Sequence, residues 1–141
     1  KDYQEANKIN KEQGMGLSKQ SWFLFKKIKE IDSFLEIRNR PSVFESHPEL
    51  VFQVMKGEAI KTKKNTQEGL KERIDILVEN GFDKKFIDKF INEKNSFYKN
   101  DDFIDSCSLF WSAKRAGKKN EIQIPKKIIK DEKGIIMQMK I

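Results

Sequence analysis

The sequence contains a single cysteine, and this scarcity excludes a disulfide-stabilised secreted domain. Cys107 stands alone among 141 residues and lies within an apolar helical pattern, which fits a reducing compartment. No run of about 18 apolar residues is present, so we expect no membrane-spanning segment. No signal peptide is visible at Lys1. We therefore predict a cytoplasmic protein with no membrane partner.

Histidine is equally scarce, and this limits the metal chemistry. Because His47 is the only histidine, a multi-histidine metal site is excluded. His47 and Cys107 lie far apart in the sequence, which gives no reason to expect a thiol nucleophile. A Walker A loop, a dinucleotide-binding glycine pattern and zinc-ligand spacing are also absent. Any metal site would have to use carboxylates.

Arginine is rare, so lysine supplies nearly all of the positive charge. The formal net charge is +7, from 29 basic and 22 acidic residues. A basic surface favours polyanions such as nucleic acid. The lysines are spread along the whole chain, however, and a lysine-rich proteome gives the same count without a partner. The charge alone leaves a polyanion-binding surface and plain solvation open.

Apolar periodicity predicts a helix-rich α/β fold with a few short strands, in a single domain over residues 1–141. Helices are predicted over 2–13, from Ser18 to Asn39–Pro41, over about 47–56, from Thr66 to Gly81, after Asp83, and over 101–116. Strands are predicted at 43–45, 122–124 and 134–141. Three short strands cannot cover the apolar faces of these helices, which suggests that sheet-forming sequence is missing upstream.

Two helices carry apolar stripes that the predicted strands would leave uncovered. One stripe contains Leu24, Ile28, Ile31 and Leu35, and the other contains Phe103, Cys107 and Phe110. Large uncovered apolar patches usually mark an interface. We expect an exposed apolar strip, which the missing N-terminal segment or a second copy of the chain would cover.

The segment Phe44–Glu49 places a carboxylate where a strand runs into a helix. The spacing of Ser46 and Glu49 predicts a capping box at the helix start. Glu45 would then lie at the C-terminal end of the strand, the edge at which open α/β sheets bind ligands. The alternative is that Glu45 is simply solvated or paired with a lysine.

A second carboxylate group opens the helix predicted over 101–116. At 100° per residue, Asp101 and Asp102 lie about 40° and 60° to either side of Asp105, so all three share one face. They can hold a hard divalent cation, or they can cap the helix and remain solvated. The same face continues with small residues such as Ser108 and Ser112, which predicts a packed face where an acid needs a partner.

Basic residues in the middle of the chain offer two interpretations. Lys63 and Lys64 lie in a lysine-rich loop and can contact phosphates as point charges, although such loops are often only solvated. Arg73 lies close in sequence to Glu68 and Asp75, so a surface ion pair is its simplest role.

Several motifs in the same order resemble domain-of-unknown-function family 429, which is described as predicted nucleases with a ribonuclease H-like fold. They are Gly16–Gln20 with Lys27–Asp32, Phe44–Glu49, Lys63–Arg73, Asp101–Asp105 and Gly134–Ile141. Asn65 resembles a one-residue insertion in the third motif, and Ser106 replaces the usual alanine after the fourth. The family's first strand, with its G-x-D aspartate, and a later D-x-P stretch do not occur here. The resemblance therefore covers the C-terminal portion of such a domain.

The resemblance implies Mg²⁺- or Mn²⁺-dependent hydrolysis of phosphodiester bonds in nucleic acid. It assigns catalysis and metal binding to Glu45, Asp102 and Asp105, and nucleic-acid binding to Lys63, Lys64 and Arg73. We expect Glu45 and Asp105 to approach within about 8 Å. Because a first-strand aspartate is missing, we expect this chain alone to be inactive. The alternative is a non-catalytic nucleic-acid-binding or structural domain.

Overall fold

The computed structural model describes residues 2–37, 42–93, 97–116, 118 and 120–141. They divide into two compact units, a first unit of Lys1–Val43 and a second unit of Phe44–Ile141. In chain order the described elements are α1 (Tyr3–Glu12), α2 (Lys19–Leu35), α3 (Pro48–Lys56), α4 (Gln67–Glu79), α5 (Lys84–Asn92), α6 (Asn100–Ala116), β1 (Gln123–Ile124) and β2 (Met139–Lys140). The fold is helix-rich with short strands, as predicted. Every helix in the described ranges is too short or too polar to cross a bilayer.

The first unit is a pair of helices joined by a glycine-containing turn. Ser18 caps α2 as predicted, because its side chain accepts a hydrogen bond from the Ser21 amide. The rings of Tyr3 and Trp22 meet edge to face with centroids 6.2 Å apart. The predicted end of α2 at 39–41 lies outside the described residues, and the helix ends at Leu35.

The apolar face of α2 is exposed, which confirms the strip expected there. Leu24 is 46% exposed, Ile28 58% and Ile31 54%, while Leu35 is half-buried. The corresponding stripe on α6 behaves differently, since Cys107 is buried while Phe110 is 58% exposed. Of the two predicted stripes, the one on α2 is therefore the more exposed among the described residues.

The core of the second unit lies among α3, α4, α5 and α6. Its buried members are Phe52, Ile76, Leu77, Ile87, Ile104 and Cys107. Glycines end two of these helices as predicted: Gly57 caps α3 at a φ of 80°, and Gly81 follows α4 at a φ of 93°. Both conformations lie in the left-handed region, which glycine adopts without a steric cost.

The strands are shorter than the alternating patterns predict. β1 and β2 pair antiparallel, with Gln123 opposite Lys140. The strand predicted at 43–45 is wrong: in this segment Glu45 alone makes an isolated parallel bridge, to Met139. In this bridge the Lys140 amide donates a 2.8 Å hydrogen bond to the Glu45 carbonyl.

Candidate functional site

The start of α3 differs from the predicted capping box. His47 occupies the N-cap without a capping hydrogen bond from its side chain, and Pro48 is the first helical residue. Proline fits there because its missing amide would have no helical partner anyway. The Ser46 hydroxyl is buried without a hydrogen-bond partner among the described residues. Glu49 is therefore free to make a contact outside its own helix.

Glu49 pairs with Arg73 of α4 in a two-pronged ion pair. Arg73 donates from Nε and Nη2 to the two carboxylate oxygens at 3.1 and 2.6 Å, and from Nη1 to the Gly69 carbonyl at 2.9 Å. The guanidinium also lies 5.8 Å from the ring centroid of Phe52. Arg73 is only 2% exposed, so the predicted surface ion pair with Glu68 or Asp75 is wrong. The contact instead joins α3 to α4.

A second charged contact lies beside this pair. Glu72 accepts a 2.7 Å hydrogen bond from Lys56 of α3 and a hydrogen bond from the Thr62 hydroxyl. These two hydrogen bonds lower the pKa of Glu72, with Lys56 the larger cause. The Thr62 oxygen also lies 3.5 Å from Nη1 of Arg73, from which it accepts. The Lys-rich loop is therefore fixed to both helices before it reaches residues 63 and 64.

Gly69 brings this loop onto α4. A β-carbon at Gly69 would overlap the carbonyl oxygen of Lys63 and lie 2.8 Å from its carbonyl carbon. Thr66 closes the turn, because its hydroxyl donates to the Lys63 carbonyl at 2.8 Å and accepts from the Gly69 amide at 3.0 Å. Because Gly69 has no side chain, the backbone of Lys63 can lie against α4. Lys64 is the next residue of the same loop.

Lys64 forms an ion pair with Asp105 of α6, with Nζ and Oδ2 2.5 Å apart. The other oxygen of Asp105 is buried and has no hydrogen-bond partner in the described part of the chain. The hydrogen bond to Asp105 raises the pKa of Lys64, and the nearby charges of Asp105, Asp101 and Glu49 raise it further. Lys64 therefore lies in a negative environment formed by α3 and α6.

Asp102 has the capping role that was the alternative to metal binding. Its carboxylate accepts a 3.1 Å hydrogen bond from the Lys99 amide, immediately before α6. Asp105 is not a solvated acid, since its side chain is 19% exposed and paired. Ser108 and Ser112 are buried, which confirms the packed face predicted from their small size.

The structure brings together some of the predicted site residues. Lys64 contacts Asp105, whereas Lys63 meets α4 through its backbone and Glu45 is exposed beside Met139. In the ranges that the structure describes, no three His, Cys, Asp or Glu side chains are arranged to hold a metal ion. Sequence reasoning missed the interhelical partners Thr62 and Glu72. Nothing in their local pattern indicated these roles.

The comparisons with known proteins give a family. A family model described as "Protein of unknown function (DUF429)" matches residues 1–128. No curated protein and no solved structure matches the chain. The family match spans most of the sequence and contains the Lys64–Asp105 and Arg73–Glu49 pairs. The chain therefore belongs to the DUF429 family.

Proposed function

We propose that the chain is part of a metal-dependent nuclease of the ribonuclease H-like class, which hydrolyses phosphodiester bonds in nucleic acid. One observation carries this proposal. Asp105 is a largely buried carboxylate with one oxygen on Lys64 and the other without a partner among the described residues. Buried carboxylate oxygens without partners are costly, and a hard cation satisfies them.

Carboxylate oxygens such as those of Asp105 are the ligands that Mg²⁺ and Mn²⁺ prefer. Glu45 and Asp102 are the further carboxylates that we assign to the ion, and one oxygen of Asp102 already accepts from the Lys99 amide. A bound divalent ion activates water and stabilises the leaving oxygen. That Glu45 approaches Asp105 closely enough to share the ion stays a prediction.

The basic residues of the site have separate roles in this proposal. Lys63 is exposed and can meet a phosphate directly. Lys64 neutralises Asp105 and can turn to a phosphate when a cation takes its place. Arg73 is enclosed in its pair with Glu49, so it would contact a phosphate only by leaving that pair. Its role here is to fix α4 against α3.

A non-catalytic domain is the second candidate, and Asp102 favours it. The carboxylate that the nuclease hypothesis needs is already used to cap α6. In that case the Lys64–Asp105 pair only joins the loop to α6, and nucleic acid would bind without metal dependence. The exposed face of α2 also supports a protein partner, either a further segment or a second copy of the chain.

Calorimetric titration with Mn²⁺ separates the two candidates. We expect wild type to bind Mn²⁺ and Asp105→Asn to lose most of the binding heat. Asp75→Asn is the matched control, because it removes an exposed carboxylate from α4. Equal Mn²⁺ affinity in wild type and Asp105→Asn would refute the assignment. Salt-sensitive binding of nucleic acid with no metal dependence would favour the non-catalytic domain.

A further inference from the structure

The C-terminal end of α6 carries two aromatic rings, each with a cation one turn later. The Lys114 ammonium lies 5.7 Å from the ring centroid of Phe110, and the Arg115 guanidinium lies 4.6 Å from that of Trp111. We propose that this surface, the α6 aromatic–basic end (Phe110, Trp111, Lys114 and Arg115), binds single-stranded nucleic acid. It shares no residue with the site at Asp105.

Phe110 is held in place while remaining open to solvent. Phe82 meets its ring edge to face, with centroids 6.3 Å apart and planes at 75°. More than half of Phe110 is nevertheless exposed, at 58%. A fixed and exposed ring is a stacking platform, because every nucleobase presents a flat π-face to it.

The neighbouring Trp111–Arg115 pair is also held by a hydrogen bond to the backbone. Arg115 donates from Nη2 to the carbonyl of Asn120 at 2.8 Å, which keeps the guanidinium near the indole. Planar guanidinium groups also stack on bases and bind phosphate. The two pairs thus place aromatic rings and cations within six consecutive residues of α6.

The charge of this end selects a polyanion. From Ser106 to Asn120 the sequence contains no acidic residue, whereas residues 114–119 contain one arginine and three lysines. Cations at a helix C-terminus also compensate the helix dipole, which explains their sign. That role does not explain why a large aromatic ring beside them remains in water.

Bases in a duplex stack on one another, so only a single strand offers a free base face to Phe110. This inference rests on the proposed function for its partner class and specifies the form of the nucleic acid. Phe110 follows Asp105 by five residues, so it lies about 7.5 Å along the helix and about 140° around it. Binding at this end can therefore be measured separately from metal binding.

The test is fluorescence anisotropy with a labelled oligothymidylate of about 12 nucleotides, in EDTA. Phe110→Leu removes the ring but keeps an apolar side chain, and we expect it to weaken binding on the order of tenfold. The slope of log affinity against log salt is negative, and Lys114→Gln should reduce its magnitude by about 0.7. The matched controls are Phe23→Leu and Lys26→Gln on α2, which should bind like wild type. Circular dichroism verifies that each variant is folded.

Three outcomes would overturn the inference: no binding by wild type, equal affinity for Phe110→Leu and Phe23→Leu, or equally good competition by duplex DNA or by heparin, which has no bases. Because EDTA removes divalent ions, a failure here leaves the Mn²⁺ titration of Asp105→Asn unaffected. If wild type binds the oligothymidylate but shows no affinity for Mn²⁺, the result would support this surface and refute the proposed metal-dependent nuclease.

Discussion

Replacing Gly69 with alanine should destabilise the second unit, although the same change usually stabilises a helix. Alanine exceeds glycine in helix propensity by up to about 1 kcal/mol. Here the added methyl would overlap the carbonyl oxygen of Lys63 and approach Thr66 Oγ1 to 3.2 Å. Both neighbours belong to the same tight turn, and the first is backbone, so a rotamer change cannot relieve the overlap.

The expected size follows from three contributions. Adding a methyl to a closely packed contact costs about 1–3 kcal/mol. Displacing the turn also weakens the cap that Thr66 provides through the Gly69 amide, which is worth about 1 kcal/mol. The gain in helix propensity offsets about 1 kcal/mol. We therefore expect the free energy of unfolding to fall by about 2 kcal/mol.

Urea unfolding followed by Trp111 fluorescence in a Trp22→Phe background measures this change in the second unit alone. If the free energy of unfolding falls by about 2 kcal/mol per molar urea (the m-value), the urea midpoint of Gly69→Ala should be about 1 M lower than that of wild type. Lys71→Ala, at an exposed position of α4, is the control and should leave the midpoint nearly unchanged. A midpoint for Gly69→Ala at or above that of wild type would show that the turn does not touch α4 as described.

Three further predictions concern charged and titrating groups. Arg73→Met should lower the free energy of unfolding by about 3 kcal/mol, because it leaves Glu49 without its buried partner. Urea midpoints measure this change, and a loss under about 1 kcal/mol would contradict the prediction. Burial raises the pKa of Cys107, so a thiol reagent should label it only in denaturant, and rapid labelling of native protein would refute its burial. The hydrogen bond from Lys56 lowers the pKa of Glu72, so its stabilisation is present above the unfolded pKa and lost as pH falls through the folded pKa. Between about pH 6 and 3 the urea midpoint of wild type should fall more than that of Glu72→Gln, and parallel curves would refute this.

Helix starts were predictable from sequence where the capping contact is local. Thr66 and Asp83 cap α4 and α5 as predicted, because each accepts from an amide two or three residues later. The S-x-x-E pattern at Ser46 predicted a capping contact of the same local kind, but Ser46 does not cap α3. Pro48 moves the helix start, and Glu49 binds Arg73, which lies 24 residues away. No local pattern reports a contact of that range.

The candidate site was predictable to a similar degree. The small residues that follow Asp105 on its face indicated a packed acid with a partner, which the structure confirms. The identity of that partner, Lys64, depends on contact between the loop that precedes α4 and helix α6, across 41 positions of sequence. The nearby acids in sequence suggested a surface role for Arg73, whereas packing against Phe52 buries it.

The division into two units has a consequence for hydrogen exchange. No described residue of α1 or α2 is buried, whereas the second unit contains the hydrophobic core. Amide protons of the first unit should therefore exchange through low-energy local opening, while those around Leu77 and Ile104 should exchange only when the second unit unfolds. Trp22 and Trp111 lie in different units and should report different transitions. A single melting temperature for the whole chain would average two separate events.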